Sequence, residues 1–162
     1  NLYGPKDNYD NNDSHVMAAL IRKFYEAKIK NKKEVVCWGT GKPLREFLHV
    51  DDLAEACLFL LKNWDPNTNN SPLDENGFPL NWINVGSNFE ISIKDLAVKI
   101  SNILNYQGEI LWDSEKPDGT LRKKLDTSCM QKLGWEAQTD LDYGIKSTIN
   151  IFRKEIIDQY EA

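Results

Sequence analysis

A mixed α/β fold, one domain in which helices alternate with short strands, is what this sequence predicts, and three observations carry that prediction. Leu53, Ala56, Cys57, Leu60, Leu61 and Trp64 recur at helical spacing behind an acidic start at Asp51 and Asp52. Glu34 to Trp38 and Trp82 to Gly86 are apolar or alternating runs of strand length. The chain has 162 residues, 41% of them hydrophobic, enough for a single core burying roughly 70% of the surface an unfolded chain exposes.

Charge and cysteine content narrow the function. A net charge of -5 and a pI near 5.1 argue against nucleic acid as a partner, because phosphate backbones demand clustered excess cation. Cys37, Cys57 and Cys129 are odd in number, widely spaced and outside any C-x-x-C or Cys/His pattern, so neither a disulfide framework nor a metal site is expected. Reduced thiols point to the cytoplasm. No apolar run approaches the ~18 residues of a membrane span, and no signal sequence opens the chain, so no membrane partner is expected.

Taken in order, Gly4-Pro5 turns the chain into a polar loop over residues 6–13. Asp13 or Ser14 is expected to cap a helix with Val16, Ala19, Leu20, Phe24 and Ala27 on one side, and His15 falls in its first turn. Glu34 to Trp38 and Glu46 to Val50 are predicted strands joined by the Gly39-Thr40-Gly41 turn, with Arg45 just beyond it on an extended segment. Asp51 or Asp52 then caps the next helix, and residues 65–79, rich in Asn, Pro and Asp, form a surface loop. Trp82 to Gly86 is predicted to be a strand buried on both faces, part of a sheet whose other strands lie elsewhere. Ser92 and Asp95 make a capping-box-like start for a helix with Ile93, Leu96, Ala97, Ile100 and Leu104 on its core face, ended by Gly108. Glu109 to Trp112 is a strand, a short helix runs from Asp126 or Thr127 to Gly134, and Ile145, Ile149, Phe152 and Ile156 stripe the last helix.

Two kinds of chemistry are missing. A dinucleotide fingerprint needs strand, glycine-rich turn and helix, so that backbone can approach a pyrophosphate. Gly39 and Gly41 are the only close glycine pair and lack both the third glycine and the helix. No tyrosine has a lysine four residues on. Hydride chemistry, if the parent protein performs it, is therefore expected from residues upstream of Asn1.

Several residues remain as candidates. His15 is the side chain suited to proton transfer near neutrality, or else a solvated residue at a helix start. The positive end of a helix favours neutral imidazole, so an acid role needs a partner carboxylate. Arg45 can fork onto anionic oxygens, or pair with Glu46 or Asp52. Trp38 can stack beside a ligand or sit in the core. The Pro117-Asp118-Gly119 turn is followed by Arg122, Lys123 and Lys124, a ligand-binding or a solvated charge run.

The run from Trp38 to Asp52, with Asn1-Leu2-Tyr3-Gly4-Pro5, resembles the substrate lobe of the extended short-chain dehydrogenase/reductases that modify nucleotide sugars. Adding Asp7-Asn8-Tyr9, Ser14-His15-Val16 and the loop from Lys116 to Asp126, the chain resembles the GDP-L-fucose synthase family, NADPH-dependent 3,5-epimerase-4-reductases of GDP-4-keto-6-deoxy-mannose. That resemblance spans nearly the whole chain. It implies a C-terminal substrate-binding domain over residues 1–162, with one or two strands belonging to a Rossmann sheet outside it and a homodimeric parent. It implies His15 as the acid working opposite an upstream cysteine, and Asn1, Lys23, Trp38, Arg45 and Lys123 as contacts to a GDP-sugar. The family's proline three residues after the histidine is Ala18 here, and its arginine pair appears as Arg22-Lys23. His49 belongs to a pattern shared with the wider family and reads as structural. The rivals are the same lobe from another nucleotide-sugar epimerase or dehydratase, which has little reason to carry both Ser14-His15-Val16 and the Pro117 to Thr120 loop, and a non-catalytic nucleotide-sugar-binding module.

Overall fold

A computed structural model describes residues 1–68 and 71–161, with side chains described through residue 154. In chain order the elements are β1 (Leu2–Tyr3), α1 (Val16–Ile29), β2 (Glu34–Trp38), β3 (Leu44–Glu46), β4 (Leu48–His49), α2 (Val50–Asn63), β5 (Glu90–Ser92), α3 (Ile93–Leu104), β6 (Glu109–Asp113), β7 (Arg122–Lys123), α4 (Ser128–Leu133) and α5 (Leu141–Glu161). The fold is mixed α/β, as the sequence predicts.

The strands form three small sheets. β1 pairs in parallel with β4, and β2 runs parallel to β6 from Glu34 opposite Glu109 to Trp38 opposite Asp113. β3 lies between β5, antiparallel, and β7, parallel, which sets Arg45 opposite both Ile91 and Lys123. The predicted strand over residues 46–50 is thus corrected. Glu46 and Leu48 serve different sheets with Phe47 between them, and Val50 is already helical.

The main core collects Met17, Ile21 and Phe24 of α1, Leu96 and Ile100 of α3, and Ile145 and Ile149 of α5 around Tyr3, Val35 and Cys37. α1 is buried over a wider arc than the predicted stripe, taking in Met17, Ala18 and Ile21, because both α3 and β2 pack on it. α3 follows its predicted cap and stripe closely. Ser92 Oγ accepts from Asp95 N at 3.0 Å, and Leu96, Ala97 and Ile100 are fully buried. It stops at Asn105, which takes the left-handed conformation itself (φ 52°), so Gly108 is not its terminator. α4 runs between Thr127 and Gly134 as expected. Ile145, Ile149 and Phe152 line the buried face of α5, and Ile156 lies outside the described side chains.

Both histidines take places predicted for other residues. His15 is the N-cap of α1, in extended conformation and without a side-chain cap bond, in place of Asp13 or Ser14. The preceding loop closes on itself instead: Asp10 accepts from the amides of Asn12 and Asp13. His49 caps α2, its Nδ1 accepting from Asp51 N at 3.3 Å, so Asp51 and Asp52 stand in the first turn.

Residues 82–86 form no strand and pair with none among the described residues. Ile83 and Val85 lodge instead against a second, smaller core of Leu48, Ala56, Met130 and Trp135. That core covers one side of α2 only, and Leu61, expected inside, is 82% exposed, with Cys57 and Leu58 also exposed.

Candidate functional site

The site is organised by a buried carboxylate. Glu46, 3% exposed at the end of β3, accepts from Asn88 N at 2.7 Å through Oε1 and from Leu125 N at 3.1 Å through Oε2. Its backbone carbonyl accepts from Asn1 Nδ2 at 2.9 Å. One residue therefore fixes the chain start, the loop before β5 and the exit of β7. Asn1, Arg45 and Lys123 are brought to one place as a result.

The alternative partners of Arg45 are committed elsewhere. Glu46 is used as above, and Asp52, 4% exposed, accepts from Thr139 N and Oγ1, each at 3.0 Å. The guanidinium makes a hydrogen bond to the carbonyl of Leu44, 2.7 Å away, which leaves most of its donors for a ligand. Arg122, by contrast, is tied to Glu90 in a two-pronged pair at 2.9 and 2.6 Å, which leaves Lys123 and Lys124 as the uncommitted cations of that run. That pair also holds the Glu90 carboxyl below its ordinary range.

A second cluster surrounds Trp38. The ring is 67% exposed, at the end of β2, so it is not a core residue. Lys23 Nζ lies 5.3 Å from the ring centroid and Lys116 Nζ 5.8 Å, and Lys23 also donates to the carbonyl of Val36 at 3.2 Å. Stacked cations of this kind suit an anionic ligand with a flat ring. Nothing about Lys116 in the sequence marked it for this position. Beside it is a cavity of about 270 Å³ lined by Asn11, Asn12, Arg22, Lys23, Cys37 and Trp38. Arg22 contributes a buried guanidinium whose Nε has no hydrogen-bond partner.

Asp118 joins the two clusters. Its carboxylate accepts from Thr40 N and from Thr40 Oγ1, both at 2.6 Å, and these bonds pull its pKa below the ordinary carboxylate value. The loop thus runs from Lys116 over Trp38, through Asp118 on the glycine turn, past Gly119 beside the Arg45 guanidinium, to Lys123 opposite Arg45. Gly39 (φ 79°) and Gly41 (φ 73°) are required there, since a Cβ on the first would strike the Asp118 carboxylate and on the second the ring of Trp112. This turn is filled by the chain's own side chains and leads into β3, so it does not fit a dinucleotide pyrophosphate.

His15 stands in a third position. Its imidazole is exposed at the start of α1 and lines a cavity of about 330 Å³ with Asn1, Tyr3, Pro5, Lys6 and Asp7. Asn1 belongs to both this cavity and the Arg45–Lys123 cluster. Tyr3 is no candidate for acid or base, because burial and the carboxylates of Asp52 and Asp140 push its phenol well above the ordinary range.

Residues 1–72 match the NAD dependent epimerase/dehydratase family. Over 157 residues, 97% of the chain, the sequence is 46% identical to the probable GDP-L-fucose synthase 1 of Oryza sativa subsp. japonica, covering 44% of that protein. It is 42% identical to the GDP-L-fucose synthase of Escherichia coli (strain K12), covering 94% of this chain and 46% of that one. The solved structure of a GDP-L-fucose synthetase from Naegleria fowleri superposes with a TM-score of 0.78 at 29% identity, over all of this chain and 45% of the other. The chain thus spans about half the length of the curated relatives it matches.

Proposed function

We propose that this chain is the C-terminal, substrate-binding part of an NADPH-dependent enzyme that epimerises GDP-4-keto-6-deoxy-D-mannose at C3 and C5 and reduces it at C4 to GDP-L-fucose. The observation that carries the reading is Asn1, which the Glu46 carbonyl anchors beside Arg45 and Lys123 and which also lines the cavity of His15. In this reading Arg45 and Lys123 take the diphosphate, Trp38 and Lys23 lie along the nucleotide, and the keto-sugar reaches into the His15 cavity. Guanidinium and ammonium groups left unpaired by their own chain are what a diphosphate needs.

Inversion beside a ketone removes a proton from one face and returns one to the other. His15 supplies the returning proton as acid, and the opposing base belongs to the rest of the protein. The C4 oxygen carries the negative charge of the enolate between the two transfers. The nicotinamide cofactor finds no cradle at Gly39–Gly41, so its binding is assigned to the other half of the full-length protein. The uncovered apolar side of α2, with Leu58 and Leu61 in the open, supports the presence of such a companion domain.

The test is turnover by the full-length protein. With GDP-4-keto-6-deoxy-D-mannose and NADPH the expected product is GDP-L-fucose, identified by NMR. Reduction at C4 without inversion at C3 and C5, or a preference for UDP-sugars, would contradict the proposal.

A further inference from the structure

Among the described residues three buried side-chain polar atoms lack a hydrogen-bond partner, and one of them, Asp7 Oδ2, belongs to a residue lining the His15 cavity. The other oxygen of that carboxylate is committed, accepting from Asn8 N at 2.8 Å. An orphaned buried carboxylate oxygen costs free energy unless something charged or protic meets it. The two residues interact: burial raises the Asp7 carboxyl, and the charge of His15 lowers it.

His15 has a matching need. It caps α1 without a side-chain bond, so its imidazole is not held by the helix. It also sits at the positive end of that helix, which disfavours imidazolium and so works against an acid. The remaining titratable groups around it do not supply a buried anion. Lys6 and Tyr3 line the same cavity, His49 lies behind Gly4, and Asp13 is an exposed residue of the preceding loop.

We propose that Asp7 is the positioning residue of His15: its free Oδ2 accepts a hydrogen bond from the imidazole once the cavity is filled, fixing the ring and favouring the protonated form. This rests on the reading of His15 as the acid of the epimerisation. Asp7 itself neither donates a proton to substrate nor takes one from it. It acts through the opposing charge it sets against the helix end, in the way carboxylates orient catalytic histidines elsewhere.

The experiment is an NMR titration of His15 in the full-length protein saturated with GDP-L-fucose, so that the cavity is filled, its resonance assigned by its loss in His15→Asn. In Asp7→Asn the His15 pKa is expected to fall by about one unit, the scale of an opposing charge removed at close range, and Asp7→Glu is expected to restore most of it. The alkaline limb of solvent deuterium incorporation into the keto-sugar shifts to lower pH by the same amount, because the acid form is lost earlier. Should Asp7→Asn fold poorly, the reciprocal measurement stands: in His15→Asn the Asp7 carboxyl titrates higher than in the wild type. An unchanged His15 titration in Asp7→Asn overturns the proposal, and so does a uniform loss of exchange with no change in the pH profile. If His15→Asn leaves exchange intact while Asp7→Asn still shifts the histidine, the pairing holds and the functional reading of His15 fails.

Discussion

Replacing Arg45 by alanine separates binding from folding, and the structure sets both magnitudes. The guanidinium makes a hydrogen bond to the carbonyl of its own neighbour, Leu44, at 2.7 Å, and no ion pair among the described residues. Removing it from the folded chain costs at most about 1 kcal/mol, or a melting temperature lower by roughly 2–4 °C. A diphosphate oxygen held by that guanidinium is a charged hydrogen bond with about 1.5–3 kcal/mol at stake, which is about 10–150-fold in affinity. Arg45→Lys keeps the charge but loses the fork and should fall between the two. Calorimetric titration of the full-length protein with GDP, paired with thermal unfolding, measures both quantities. GDP affinity within about twofold of wild type would refute the clamp. A collapse in melting temperature of more than ~10 °C would show that the residue serves the fold.

Asp118→Ala should free Thr40 N and Oγ1, release the loop that carries Lys116 onto Trp38, and alter Trp38 emission relative to a Trp38→Phe control; unchanged emission with unchanged GDP affinity would exclude the lock. Its pH dependence has a definite sign. The bonds from Thr40 depress the Asp118 pKa below 3.8, so the lock is complete above that value and is lost as pH falls through the depressed one. An emission change in acid that is absent in Asp118→Ala is the expected result, and a change centred near neutral pH would contradict it. The 162-residue chain alone should bind NADPH negligibly, because Asp118 and Trp112 already fill the approaches to its glycine turn; micromolar binding by calorimetry would overturn the division of labour between the two halves.

Helix periodicity and capping chemistry made much of this fold legible before any coordinates. The Ser92–Asp95 start and the Ile93 to Leu104 stripe became α3 almost unchanged, because cap, periodicity and burial all point the same way there. α2 misled in the opposite sense. Its stripe is as regular, yet Leu61 and Cys57 are exposed, since periodicity reports an apolar face and not what covers it. Trp82 to Gly86 forms no strand among the described residues for a related reason: an apolar extended run needs a partner edge, and the sequence expects that edge outside this chain.

Among the candidate site residues, Arg45 and Lys123 were readable as cations in turn contexts, but their juxtaposition follows from parallel pairing of β3 with β7, almost 80 positions apart in sequence. Lys116 over Trp38 and the Asp118 lock depend on the same long-range closure. Asp7 had only a general signal, the need of a histidine at a helix start for an opposing carboxylate, and its orphaned oxygen could be found only in three dimensions.

The proposed return of a proton by His15 during inversion at C3 and C5 is checked by following deuterium from solvent into those positions of the keto-sugar by NMR, in wild type and in His15→Asn of the full-length protein. Asparagine keeps a polar side chain at an exposed N-cap without an internal bond, so fold and NADPH binding should be preserved. The expected result is incorporation and inversion slowed by about 100-fold or more. Exchange and inversion at the wild-type rate would contradict the claim and leave His15 a residue that merely begins a helix.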